Sequence, residues 1–413
     1  MTESSDIAVV GAGVVGLACA RALQRDGHRV TLYDPAPAGD AAAAWGSAGI
    51  LTPDMLCPLS TPDTLASVPG MLLRPMPRCR SAGRYLFRAL PWLARFAANA
   101  RPARVEHNAR ALAAISARAI PAWRELLGTP DFEAMMRPGG WVTAFESERG
   151  MAAGRRAIER RIAHGAAGQW LDRDDLLARV PQLAGHVVGG VWFRDAHYCI
   201  DTGSLLDHLA RRIESDGGIL HRIGVDALGA GEDAVSVRTA DRTAVFDHVF
   251  VCAGARSRKL ARTIGDEFPL DTERGYHVTL PDAAGPSLPV MSGEHKFVTT
   301  PMVHGVRLTG TSELGGLSLP PDARRYALLR RRAAHLFPQL DTAGGREWMG
   351  FRPTFPDSLP VIGPSARTPR VFYALGHQHL GLSLAAVTAQ MAADTLAGRA
   401  PAVDPHSFRM DRF

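Results

Sequence analysis

Two stretches of the 413-residue sequence hold residues whose type and spacing could do chemistry. The first is GAGVVG at residues 11–16, a G-x-G-x-x-G pattern between the apolar run Ile7–Val10 and the helically spaced Leu17, Ala20 and Leu23. Gly11 permits a tight turn, Gly13 lets backbone approach a pyrophosphate, and Gly16 lets helix and strand pack closely. The unpaired N–H groups and positive dipole end of such a helix attract phosphate, which adds Ala12, Val14 and Val15 to the cradle. Asp34 ends the following strand, Arg29–Tyr33, 18 residues beyond Gly16. Its carboxylate can accept hydrogen bonds from ribose hydroxyls and disfavours a 2′-phosphate. A dinucleotide site follows from this context, although NAD and FAD share the pattern.

The second stretch is GFRPTFPDSLPVIG at residues 350–363, where Arg352 stands among apolar and turn-forming residues. An unpaired buried guanidinium is costly, so Arg352 needs an anionic partner, from outside the protein or from Asp357 nearby. His377 and His379 in GHQHLG have no third ligand at a suitable spacing, so no metal is expected there. Tyr276 in RGYH is either a pocket residue or an ordinary strand residue facing a sheet core.

Several elements must position these residues. The first 34 residues read strand–turn–helix–strand. Residues 105–128 are helical, with Leu112, Ile115, Trp123, Leu126 and Leu127 inward, and residues 187–199 are strand-like. A helix starts at Asp201-Thr202 with Leu205, Leu206, Leu209 and Ile213 on one face. Apolar strands follow Gly217-Gly218 and run through 247–256 to Ala253-Gly254. Residues 273–280 and 295–311 alternate like antiparallel strands with one wet face. Phe372–Leu375 reads as a strand, Gly376–Gly381 as a tight loop, and Leu382–Leu396 as a buried, small-residue helix closed by Gly398. The pattern is that of an α/β (α+β) chain, a dinucleotide fold with an inserted antiparallel-sheet domain. A single larger α/β domain is the alternative.

Composition removes other classes. The chain is 46% hydrophobic and 21% charged, with a formal net charge of +6, ordinary for a globular enzyme. No nucleic-acid partner is expected, because only residues 64–105 concentrate basic charge. That segment interleaves Arg74, Arg78, Arg80, Arg84, Arg88, Arg95, Arg101 and Arg104 with Leu86, Phe87, Leu90, Trp92, Leu93 and Phe96. It is either a solvated helical excursion or a contact with an anionic membrane or acidic partner. Five scattered cysteines suggest neither a disulfide framework nor zinc. No signal peptide or transmembrane run is read, so the expectation is cytoplasmic, with attachment to the inner face of the membrane left open.

In order along the chain, the fingerprint ending at Asp34, AAAAWGSAGILTP (41–53), VFVCAGARS (249–257), ERGYHV, GFRPTFPDSLPVIG and GHQHLGLSLA resemble the D-amino-acid oxidase superfamily, particularly bacterial D-amino-acid dehydrogenases. The resemblance covers almost the whole chain. It implies FAD in a Rossmann-like domain assembled from residues 1–62, 200–268 and 345–413, with a substrate domain from 63–199 and 269–344. Further flavin contacts implied are Gly46, Ser47, Gly49, Ile50, Leu51, Val225, Ala253, Gly254, Gly376, His377, Leu380, Gly381, Leu382 and Ser383. By the same resemblance Arg352 pairs with the substrate carboxylate, and Tyr276 and His379 belong to the catalytic pocket. The implied reaction is oxidative deamination of a D-amino acid in amino-acid catabolism, by hydride transfer from Cα to flavin N5. D-Proline-like imino acids such as 4-hydroxy-D-proline are the nearest suggested substrates, and a quinone or another carrier the electron acceptor. Alternatives are a peroxide-producing glycine or sarcosine-type oxidase, a non-catalytic flavoprotein subunit and a nicotinamide-dependent dehydrogenase.

Overall fold

The computed structural model describes residues 4–36, 42–66, 83–281 and 284–413. The apolar run near the N-terminus becomes strand Asp6–Val10, parallel to Arg29–Tyr33 on one side and His248–Val251 on the other. They belong to a six-stranded sheet in the order 361–364, 371–375, 248–251, 6–10, 29–33, 219–221. Only the pair 361–364 and 371–375 is antiparallel. Strand alternation sends Ile7 and Val9 into one core with helices Val14–Arg25, Thr202–Ser215 and Gly381–Leu396. Ala8 and Val10 point the other way, against Leu228, Val235 and Val237 of a three-stranded meander. Coverage of both faces explains why Ile7–Val10 of this strand is an unbroken apolar run.

The helix expected from Asp201 is Thr202–Ser215, capped by the Asp201 carboxylate, which accepts the Gly203 and Ser204 N–H groups at 2.9 and 3.0 Å. Its Leu205, Leu206, Leu209 and Ile213 are buried as expected. Leu112, Ile115, Trp123, Leu126 and Leu127 are buried too, on helices Pro102–Ser116 and Ala119–Leu127.

The second sheet has eight strands in the order 346–354, 271–280, 305–314, 297–302, 290–292, 141–145, 189–193, 168–171. All its pairs are antiparallel except 290–292 with 141–145. Helix Ala323–Leu336 covers one face, where Tyr276, Val278, Leu280 and Leu308 meet Tyr326, Leu329 and Ala333.

Two expected boundaries move. Strand Arg346–Thr354, expected with the dinucleotide fold from residue 345, pairs with Asp271–Leu280 at the edge of the second sheet. Residues 102–136, expected in the substrate domain, pack their apolar faces into the core beneath the first sheet. Local periodicity fixes the element type and the inward face, but not the partner that covers it.

Of the basic segment, residues 67–82, with Arg74, Arg78, Arg80 and Cys79, lie outside the described residues. The segment continues as helix Gly83–Asn99, where Phe87 and Leu90 are exposed and Trp92 is buried. Among the described residues, no helix is long and apolar enough to cross a membrane.

Candidate active site

A connected cavity of about 2780 Å³ is lined by residues of both sheets. At one end lie Gly11–Gly13, the turn between strand and helix, and Val14 and Val15, the first residues of that helix. Gly11 has φ +109°, and a Cβ there would lie 2.5 Å from the Cys252 carbonyl oxygen. A Cβ on Gly16 would lie 1.8 Å from the Gly11 oxygen, so Gly16 makes the tight helix–strand approach behind the wall. At Gly13 a Cβ would meet only Ala42, at 3.6 Å, which leaves the space before it open to a ligand. Asp34 braces the turn by accepting the Ala12 N–H at 2.7 Å, and it also lines the cavity.

Beyond this turn the wall continues through Gly46, Ser47, Ile50, Val225, Ala253, Gly254 and Gly376–Leu382, including His377, Leu380 and Gly381. Gly49, Leu51 and Ser383 were also expected on this wall, but they stand behind it. A Cβ on Gly49 would meet the Cys199 oxygen at 2.6 Å, and Leu51 is wholly buried. The Ser383 hydroxyl donates to the Ile50 carbonyl at 3.1 Å and accepts the Thr52 N–H at 3.1 Å. It thus ties the last helix to the 50–52 segment. The open space before Gly13, the Asp34 carboxylate lining the cavity and the small-residue wall fit FAD, and the N-termini of helices Val14–Arg25 and Gly381–Leu396 border the same cavity, where they would favour anionic groups.

Residues that sequence reasoning did not single out fix the 45–48 segment. Arg307 Nη1 donates to the carbonyls of Trp45 and Ser47, both at 3.0 Å, and to Thr202 Oγ1 at 2.9 Å. Thr300 and Thr202 hydroxyls donate to the Ala48 and Trp45 carbonyls. His277 Nδ1 meets the Gly46 carbonyl at 3.1 Å, and its ring stacks on Trp348 at 4.9 Å. Burial pushes His277 down to about 3, so it is neutral and donates to that carbonyl. Burial likewise pulls Arg307 down to about 10. Strand alternation was a partial signal: in ERGYHV it puts Gly275 and His277 on one face and Tyr276 on the other, without saying which face looks toward the cavity.

Tyr276 accordingly does not reach the cavity. It is fully buried and donates to Glu313 Oε2 at 2.5 Å, within a network in which Arg274 and Arg325 approach the same carboxylate at 3.2 and 3.7 Å. The reading of Tyr276 as a strand residue facing the sheet core is the one realised.

Arg352 does reach the cavity. Its guanidinium lies over Gly275, where a Cβ would sit 2.5 Å from Cζ, so the missing side chain makes room for it. Nη1 donates to Ser312 Oγ at 3.2 Å. Asp357, the alternative partner, is engaged by Arg412 at 2.7 Å. His379 is exposed, but to the cavity. Removed from bulk water, with Arg352 and Arg161 adding repulsion, its imidazole is pushed down to about 4. The His377 ring instead bonds Thr388 Oγ1 at 2.9 Å, and burial pushes it down to about 3. Both histidines of this loop border the cavity, but the His379 ring is open to it and the His377 ring is tied to the last helix.

A mostly parallel sheet carrying the dinucleotide fingerprint, joined to a second sheet across one cavity, defines a two-domain dinucleotide-dependent enzyme architecture. The family model for FAD dependent oxidoreductases (DAO) matches residues 6–395, and the chain belongs to that family. It is 35% identical to a D-amino-acid oxidase of Bradyrhizobium diazoefficiens, over 100% of both chains. Against a D-amino acid dehydrogenase 2 of Ralstonia nicotianae the identity is 30%, over 98% of this chain and all of the relative. Glycine oxidase from Geobacillus kaustophilus shares the fold at TM-score 0.77 and 21% identity, with both chains fully covered. The protein is therefore an FAD-dependent oxidoreductase with a Rossmann-like FAD-binding domain and an inserted substrate domain.

Proposed function

We propose that the protein oxidatively deaminates small neutral D-amino acids, including D-proline-like imino acids such as 4-hydroxy-D-proline. The observation that carries this reading is Arg352 over Gly275, in the same cavity as the dinucleotide turn. A planar guanidinium holds a carboxylate through two parallel hydrogen bonds, fixing position and orientation together. Ser312, bonded to Nη1, keeps the fork oriented. His379, neutral beside Arg352, contributes shape and a hydrogen bond without adding charge. When bound, FAD supplies the acceptor, at N5, for the hydride leaving the substrate Cα. A primary amine substrate also gives up an N–H proton, and its imine is hydrolysed by water to a 2-oxo acid and ammonia, whereas a proline-like imino acid leaves as the cyclic imine with no ammonia released.

Relatives named oxidase and dehydrogenase both match, so two electron acceptors are in play. We favour a quinone or another carrier. Helix Gly83–Asn99 supports this, since it lines the cavity with Trp92, Leu93 and Phe96 and exposes Phe87 and Leu90 outward. On this reading the enzyme works in the cytoplasm and meets its acceptor at the inner face of the membrane. The test is the flavin band near roughly 450 nm under nitrogen, a property of the cofactor, on adding D-proline, 4-hydroxy-D-proline, D-alanine, glycine and L-proline in turn. Bleaching by the D-compounds alone supports the proposal, and bleaching only by glycine or L-proline sinks it. Stoichiometric peroxide in air would replace the carrier by oxygen.

A further inference from the structure

Four residues far apart in the sequence converge at the rim of the second sheet. The Glu146 carboxylate receives His186 Nε2 at 3.3 Å and His335 Nε2 at 3.2 Å on the same oxygen, Oε2. The other oxygen, Oε1, faces His295 Nε2 at 3.8 Å and accepts the Ser292 hydroxyl at 3.1 Å. One ligand atom each from Glu146, His186 and His335 lies within 4.8 Å of the others. From the three donors and their geometry, we infer a binding site for a first-row divalent cation of borderline softness, zinc being the best fit, at Glu146, His186 and His335.

The spacing favours a metal. Zinc bonds to nitrogen and oxygen of about 2.0–2.1 Å put neighbouring donors of a tetrahedron about 3.3–3.4 Å apart. The two Nε2–Oε2 distances are already close to that edge. Two imidazoles with one carboxylate suit zinc, copper or nickel and exclude magnesium and calcium, which demand oxygen shells. His295 or water can supply the fourth position.

The surroundings hold the ligands in place. Ser292 turns the carboxylate so that Oε2 faces the two histidines. Glu294 Oε1 accepts the N–H groups of Glu146 and Ser147 at 3.0 and 3.1 Å, fixing the backbone beneath the carboxylate. Ala184 N–H donates to the Leu336 carbonyl at 2.9 Å, which sets the His186 segment beside the helix that carries His335. Arg332 Nη1 bonds the His295 carbonyl at 3.2 Å. Outer partners of this kind orient metal ligands and raise affinity. The Gly293–Lys296 turn also lines the large cavity, so a bound ion would pin one segment of its wall to helix Ala323–Leu336.

The experiment is calorimetric titration of the FAD-loaded protein with zinc and, separately, magnesium, with thermal unfolding followed alongside. One zinc equivalent is expected, with a raised Tm and no response to magnesium. His335→Ala and His186→Ala, both at exposed positions, should each weaken zinc binding by at least the about 10–100-fold seen for loss of outer-shell partners and abolish the Tm rise. Flavin content should be unchanged in both, which checks their folding. Ser292→Ala should weaken binding by about 10-fold. No zinc binding by the wild type, or undiminished binding in both histidine variants, would overturn the inference.

Discussion

Arg352 and His379 face the same cavity, yet they differ in what pH can do to them. Arginine stays charged at every working pH, so a carboxylate anchor at Arg352, as proposed, would be permanent. Arg352→Ala removes a charge-assisted pair whose loss costs about 3–5 kcal/mol, about 10²–10⁴-fold in kcat/KM for D-alanine. Arg352→Lys should recover only part of that, since one ammonium cannot grip both carboxylate oxygens. Steady-state kinetics with saturating FAD checks both. His379 protonates only near 4, so it is already neutral across the working range. The pH dependence of kcat/KM should therefore show no His379 limb between about 5 and 8, and His379→Gln should lower the profile without changing its shape. A limb near 6.5 that vanishes in the variant would make His379 a proton acceptor instead.

The fingerprint element separates folding from binding, glycine by glycine. Gly16→Ala places a Cβ 1.8 Å from a backbone oxygen, so it should abolish folding of the FAD domain. Gly13→Ala meets only an ordinary contact at 3.6 Å and should fold. Its methyl group occupies space facing the ligand, so the purified protein should carry less flavin with little change in apoprotein Tm. Ser383→Ala removes the bonds to Ile50 and Thr52 and should cost about 1–3 kcal/mol in urea unfolding, the usual penalty for orphaned buried partners. The types of these elements were legible: strand–turn–helix in residues 7–25, the Asp201 cap, and the apolar stripe through Leu205 and Ile213 all formed as the periodicity required. Which side of a strand faces the cavity was less legible. In ERGYHV, alternation alone cannot say whether Tyr276 or His277 looks inward, because both faces of that strand are buried.

At the scale of the whole molecule, His277 and His377 lie in separate parts of the interior, each neutral and pushed down to about 3. Unfolded, each would protonate near 6.5, so below that pH the unfolded chain binds more protons than the native one. Their contribution is complete above about 6.5 and declines steadily as pH falls toward 3, by about 1.4 kcal/mol per pH unit for each histidine. Urea unfolding at pH 6.5 and pH 5 should show this loss, and His377→Gln should remove about 2 kcal/mol of it. An unchanged difference in the variant would mean that His377 accepts a proton in the folded state.

By itself the sequence determined the dinucleotide turn, the acid that follows it and the helices with their inward faces, and it marked Arg352 as a candidate for pairing with an anion. These are short-range signals, set by backbone sterics, periodicity and the cost of burying charge. Only the tertiary structure decided that strand Arg346–Thr354 borders the second sheet, that Arg307 and His277 clamp the 45–48 segment, and that Glu146, His186 and His335 meet with His295 close by. Such contacts join residues dozens to hundreds of positions apart, and no local pattern encodes which buried surface will cover another.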